Sequence, residues 1–119
     1  MSWDIEYTDE FEAWWLGLSI DDQARIDAAV DALSTGGPAL GRPWVESIHS
    51  SRHPNMKELR PRGGYIRVLF AFDPRRTAIL LIAGDKQHEW AVWYQRMVPV
   101  ADQLFDTHIQ TLREEGELT

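Results

Sequence analysis

Four cations fall within eleven residues: Lys57, Arg60, Arg62 and Arg67. A local cluster of this kind suits an anion, above all the phosphates of a nucleic-acid backbone. Arg67 is the sharpest of the four. From Tyr65 to Asp73 the residues alternate, with Ile66, Val68, Phe70 and Phe72 on one side and Tyr65, Arg67, Leu69, Ala71 and Asp73 on the other. The first set is expected to face a core, which leaves Arg67 mid-strand on the second face. A guanidinium held by a strand can grip a phosphate with two parallel hydrogen bonds. It can equally be a sheet arginine paired with a carboxylate, for instance Glu58 across the hairpin. Arg60 and Arg62 share a face by parity, and Lys57 sits with Leu59 on the other. The same cations could instead be a charged strand end that discourages edge pairing.

Other chemistry-bearing residues are sparser. Lys86, just past an apolar strand, could stabilise a pentacovalent phosphorus or move a proton. His88 is the acid/base candidate by position, against the simpler reading of an exposed loop histidine. His49 and His53 have the i, i+4 spacing of a helical metal pair. Pro54 and the Ser50-Ser51 pair oppose a helix there and no third ligand stands out, so no metal site is expected. His108 falls on the apolar stripe of a C-terminal helix and reads as a packing residue. Trp90, Trp93 and Tyr94 can form a core or a surface on which bases stack. Asp73 can pair with Arg75, and Asp85 with Lys86. The chain has no phosphate-binding glycine loop, no nucleophile elbow and no paired-carboxylate site.

The elements that must position these residues follow from periodicity. Trp3, Ile5 and Tyr7 alternate with acids as a strand does. Thr8 or Asp9 can cap a helix with Phe11, Trp14, Trp15 and Leu18 as its stripe. Ser19 with Asp22 resembles a capping box for a second helix carrying Ile26, Ala29, Val30 and Leu33, stopped at Gly36-Gly37-Pro38. Strands are expected over 45–49, 56–62, 65–73 and 77–83, with turns at Gly63-Gly64 and Asp73-Pro74-Arg75-Arg76. Residues 88–96 are open between strand and helix, and Pro99 suits the first turn of a last helix. The fold class is α+β, with helices packed on an antiparallel sheet.

Composition bounds the rest. A chain of 119 residues, 44% apolar with six tryptophans, is expected to fold as one domain over 1–119. It has no cysteine, which excludes disulfides and thiolate metal sites. The acidic N-terminus lacks the features of a secretory signal, and no apolar run is long enough to span a bilayer. A cytoplasmic, membrane-free protein is expected. The net charge is −7 but unevenly placed: −8 over 1–41, +5 over 42–76 and −4 over 77–119. Long-range repulsion therefore opposes nucleic acid while the middle third favours it, so binding to free RNA should be weak and salt-sensitive.

Three runs carry a family resemblance: Lys57-Glu58-Leu59-Arg60, Tyr65 to Asp73, and Ala78 to Lys86. They resemble the RelE/ParE superfamily of toxins of type II toxin–antitoxin systems, in its phage-derived, HigB-like branch. Trp93-Tyr94 and Pro99 to Phe105 with His108 are similar to a subgroup of that branch. The resemblance implies a RelE-like fold: an N-terminal strand and two-helix hairpin on a twisted antiparallel sheet, with a C-terminal helix. It implies a metal-independent, cofactor-free endoribonuclease that cleaves mRNA in the ribosomal A site by 2′-OH attack on the adjacent phosphate. The partners it implies are the ribosome, mRNA and a cognate antitoxin, with a helix-turn-helix protein the expected type. Arg67 matches the family's sheet arginine, Lys57 and Arg60 its preceding basic positions, and Lys86 its motif lysine. Arg67, Lys57, Lys86 and His88 are thus the catalytic candidates, and Arg60, Arg62 and Tyr94 the RNA-binding ones. The fold alone does not choose the target. Gyrase-directed toxins of the ParE type share it, and an inactive member that only binds an antitoxin remains a third reading. An antitoxin could cover the cationic sheet with an acidic segment, or wrap the acidic helices.

Overall fold

The computed structural model describes residues 2–85 and 90–118. In chain order the elements are β1 (Ile5–Tyr7), α1 (Asp9–Leu16), α2 (Ile20–Gly36), a 3-10 turn (Gly37–Ala39), β2 (Val45–Ser47), β3 (Lys57–Leu59), β4 (Ile66–Phe72), β5 (Ala78–Asp85) and α3 (Trp90–Glu114). The helix starts are set by short polar side chains. Thr8 Oγ1 accepts the Phe11 amide at 3.0 Å and donates to the Leu81 carbonyl at 2.7 Å, so one residue caps α1 and ties it to β5. Ser19 Oγ accepts the Asp22 amide at 3.1 Å and caps α2. Gly37, at φ 60°, ends α2 with its N–H on the Leu33 carbonyl.

The strands form one five-stranded sheet in the order β1-β5-β4-β3-β2. The pairs β2–β3, β3–β4 and β4–β5 are antiparallel, as expected, but β1 runs parallel to β5. The sheet is therefore mixed. The helices between β1 and the meander make this possible, since a parallel partner needs a crossover. β3 is shorter than the expected 56–62. Its last ladder-like bond is from the Arg60 N–H to the Trp44 carbonyl at 2.8 Å. Pro61 has no N–H to continue it.

Both faces of the sheet are covered. On one, Phe11 of α1 and Ile26, Ala29 and Leu33 of α2 pack with Leu59, Ile66, Val68, Phe70 and Leu80. On the other, Val98, Ala101 and Phe105 of α3 pack with Leu69, Ala71, Ile79 and Leu81. Each fully buried large apolar side chain contributes about 1.5–3 kcal/mol. A bulge between Leu69 and Phe70, which pair with Ile82 and Leu80, turns both Leu81 and Ile82 toward α3.

The last helix departs from expectation. It starts at Trp90, not near Pro99, and Pro99 lies inside it. An interior proline costs a helix about 3 kcal/mol. Pro99 and Gln95, whose carbonyl loses its partner, are both exposed, so water can satisfy that oxygen. Trp93, Met97, Val98, Ala101, Leu104 and Phe105 carry one apolar stripe through the proline, and its burial outweighs the lost bond. Among the described residues, no helix is long and apolar enough to cross a membrane.

Candidate functional site

Strand register decides which cations meet. Lys57 pairs with Phe70, Glu58 with Leu69 and Leu59 with Val68, so Glu58 faces α3 and Lys57 faces α1 and α2. Arg60, two residues beyond Glu58, turns the same way. Arg67 pairs with Gly84 on β5 and points to that face also. The hub is Glu58, with its side chain only 2% exposed. Its Oε2 lies 3.0 Å from Arg60 Nε and its Oε1 lies 3.8 Å from Arg67 Nε. The Tyr94 hydroxyl, from the first turns of α3, donates to Oε1. Arg60 Nη1 is also 3.8 Å from Glu46 Oε1 on β2. Arg67 Nη1 donates to the Ile66 carbonyl at 2.8 Å.

Gly84 makes this approach of α3 possible. A Cβ built there would collide with Trp93 Nε1 and stand 3.1 Å from its Cε2, so the indole lies against bare β5 backbone. Trp93 and Tyr94 meet edge to face, their ring centroids 5.2 Å apart. Tyr94 thus arrives at Glu58 from a helix seated by its neighbour.

The electrostatics follow from burial. Burial pushes the Tyr94 phenol up and the Glu58 hydrogen bond adds to this, so the hydroxyl stays a proton donor across the physiological range. For Arg60, burial opposes the charge, but the hydrogen bond and field of Glu58 outweigh it and hold the guanidinium above its ordinary value. The Arg60 side chain is 35% exposed and that of Arg67 12%. Among the described residues, the solvent-facing cation of the cluster is therefore Arg60. Arg67 stands behind it, under α3. Among the described residues Glu58, and more weakly Glu46, offset the charge of Arg60 and Arg67, so the patch is preorganised but far less basic than its cations alone would make it.

The other candidates are placed elsewhere. Lys57 Nζ donates to the Pro38 carbonyl at 3.2 Å, across the sheet from Arg67. Arg62 is exposed in the turn between β3 and β4. Lys86 and His88 lie outside the described residues. His53 Nε2 is 2.8 Å from Asp106 Oδ1, and Ser51 and Arg52 reach Asp102 and Asp106, so the loop 50–55 is clamped onto α3. Glu58 emerges as the centre of the cluster, where sequence reading made it only one possible partner of Arg67. The signal for its role was its own position, an acid flanked by apolar and cationic residues on an inner strand.

A second carboxylate hub lies at the β4–β5 turn. Asp73, with a fully buried side chain, binds Arg75 Nε at 3.0 Å and His108 Nε2 at 2.8 Å, and accepts the Arg75 and Thr77 amides. Arg75 continues to Glu6 at 2.9 Å. Burial raises the Asp73 carboxyl, but the His108 and Arg75 hydrogen bonds outweigh it and hold the group below its ordinary value. This hub joins β1, the turn and the C-terminal half of α3, and its role is to hold the fold.

Comparison with known proteins agrees with this fold. Residues 13–106 match the family described as phage derived protein Gp49-like. The chain is 50% identical over 94 residues to "Putative toxin HigB3" of Mycobacterium tuberculosis, covering 79% of this chain and 82% of that protein. It is 43% identical over 104 residues to "Putative toxin HigB2" of the same organism, covering 85% of this chain but 52% of that protein. In fold it is similar to the archaeal RelE–RelB complex from Pyrococcus horikoshii OT3, with TM-score 0.58, 14% identity, and 75% of this chain and 100% of that one covered. The intact E. coli RelBE toxin–antitoxin complex gives TM-score 0.60 at 8% identity, covering 73% of this chain and 100% of that one. The chain belongs to the phage-derived Gp49-like family, is similar to HigB toxins in sequence and has a RelE-like fold.

Proposed function

We propose that this Gp49-like chain acts as a ribosome-dependent endoribonuclease, held inactive by a cognate antitoxin, for which a helix-turn-helix protein is the expected type. The observation that carries the reading is the convergence of Arg60, Arg67 and Tyr94 on the buried Glu58 beneath the start of α3. In the reaction the substrate 2′-oxygen forms a bond to the adjacent phosphorus and the bond from phosphorus to the 5′-oxygen breaks. A proton leaves the 2′-hydroxyl and one is delivered to the departing 5′-oxygen. Arg60 would meet a non-bridging phosphate oxygen directly, and Arg67 would add field from behind it. Tyr94, kept protonated, can donate a hydrogen bond but cannot serve as the base at neutral pH. The proton carriers are assigned to Lys86 and His88 on sequence position alone. Lys57 faces the other side of the sheet and is left outside the catalytic group, and Arg62 serves at most as a peripheral RNA contact.

The weak net charge of the cluster fits a substrate presented by the ribosome rather than captured free from solution. The same feature supports a second reading, a toxin that acts by binding protein such as gyrase, because Glu58 offsets much of the phosphate-attracting charge. Induced expression separates the two. Growth arrest with in-frame mRNA cuts, both lost in Arg60→Ala and Arg67→Ala, supports the ribonuclease. Arrest with intact mRNA and broken chromosomal DNA supports the gyrase reading.

A further inference from the structure

On the face of the sheet opposite Glu58, a groove of about 380 Å³ runs between β1, α1 and α2. Ile5, Tyr7, Phe11, Trp15, Leu16 and Leu80 form its apolar lining. The groove opens onto side chains that folding leaves in water. Of its lining residues, Tyr7 is 57% exposed and Leu16 72%. Single exposed apolar residues mean little, but two that line one apolar groove mark an interaction surface. The groove adjoins β1, an edge strand of the sheet.

The rim states what kind of partner fits. Glu12 and Asp27 stand in the lining itself, and among the described residues neither makes an ion pair. Asp9 and Glu10 begin α1, and Asp21 and Asp22 begin α2. The one base in residues 1–41 is Arg25, and it is engaged with Asp22 at 2.9 Å. An apolar slot in so acidic a rim repels RNA and anionic lipid surfaces. It is complementary to a protein segment with apolar anchors flanked by lysine or arginine.

We infer that this groove is the docking site of a basic amphipathic segment of the partner antitoxin. The inference rests on the proposed toxin–antitoxin partnership. It places antitoxin on the face away from Arg60 and Arg67, so a segment bound here adds affinity without touching the cluster. The groove has room for a few apolar side chains, not for a whole helix, so the segment lies along the surface with its anchors inserted.

The test uses the full chain and its cognate antitoxin, with affinity measured by calorimetry at two salt concentrations. Two variants probe the groove: Leu16→Glu removes an anchor contact, and Glu12→Lys with Asp27→Lys reverses the rim. All three positions are exposed, and circular dichroism checks that the variants fold. Each variant is expected to weaken antitoxin binding by about tenfold or more, and the rim reversal should also flatten the salt dependence. Toxicity in cells lacking antitoxin should stay at the wild-type level. Unchanged affinity in both variants overturns the groove assignment and leaves the partnership standing. Failure of the wild type to bind any antitoxin overturns the partnership itself. A self-association of the chain that the same variants abolish assigns the groove to a second copy and overturns the inference.

Discussion

Replacing Glu58 by Gln keeps the shape of the hub and removes its charge. The Tyr94 hydroxyl can still donate to the remaining carbonyl oxygen, but the new amide N–H faces the donors of Arg60. The charge-assisted bond to Arg60 at 3.0 Å is lost, and Arg67 loses the Glu58 charge 3.8 Å away. A hydrogen bond to a charged partner contributes about 1.5–3 kcal/mol, and removing one partner of a fully buried ion pair costs about 3–5 kcal/mol. Arg60 is 35% exposed and regains water, which discounts its share, while Arg67 at 12% does not. The expected destabilisation is therefore about 2–4 kcal/mol. That is a large part of a typical domain stability of about 5–15 kcal/mol. In a chain of this size it lowers the Tm by roughly 6–16 °C. Urea unfolding of wild type, Glu58→Gln, Tyr94→Phe and the double variant measures it as a cycle. Tyr94→Phe alone should cost about 1–2 kcal/mol and clearly less in the Glu58→Gln background, a coupling of about 1 kcal/mol. A Glu58→Gln variant within about 0.5 kcal/mol of wild type, or strict additivity, would refute the hub.

Three further outcomes follow from individual contacts. Gly84→Ala should cost about 1–3 kcal/mol and shift tryptophan fluorescence, because the new methyl must displace the Trp93 indole. Asp73 has its folded pKa below the ordinary 3.8, so its stabilisation is present above that value and is lost as the pH falls through the lower folded value. Asp73→Asn should therefore be less stable than wild type at neutral pH, with the gap narrowing in acid, as circular dichroism melts from neutral to strongly acidic pH would record. Lys57→Met should leave in-frame mRNA cleavage at the wild-type level, since Lys57 bonds to Pro38 on the other face. Mapping of mRNA 5′ ends checks this.

Much of the fold was legible because local chemistry and tertiary packing agree. Thr8 and Ser19 cap the helices they precede, Gly37 ends α2, and Asp73 pairs with Arg75 in the turn that joins β4 to β5. Strand parity correctly separated Lys57 from Arg60. Two features were hidden for the same reason, namely that they depend on what packs on top. The face carrying Arg67 reads as half-polar in one strand, yet Leu69 and Ala71 beside it are buried by α3. Pro99 reads as a helix start until the stripe on both sides of it is seen to press on one sheet face. The parallel pairing of β1 was invisible because so short a strand carries no mark of direction. Of the cations picked out in the sequence, Arg60 and Arg67 meet in one cluster, but its balance of charge was not legible. That balance depends on Glu58 being sealed under Tyr94, a contact between residues 36 apart.

The most direct measurement adds the purified chain to mRNA on purified, translating ribosomes and maps the RNA ends, with Arg60→Ala and Arg67→Ala beside wild type. A ribosome-dependent nuclease centred on this cluster gives in-frame cuts only when ribosomes are present, and loses them at least about 100-fold in each variant. Intact mRNA with wild-type protein, or cuts that persist undiminished in both variants, would contradict it.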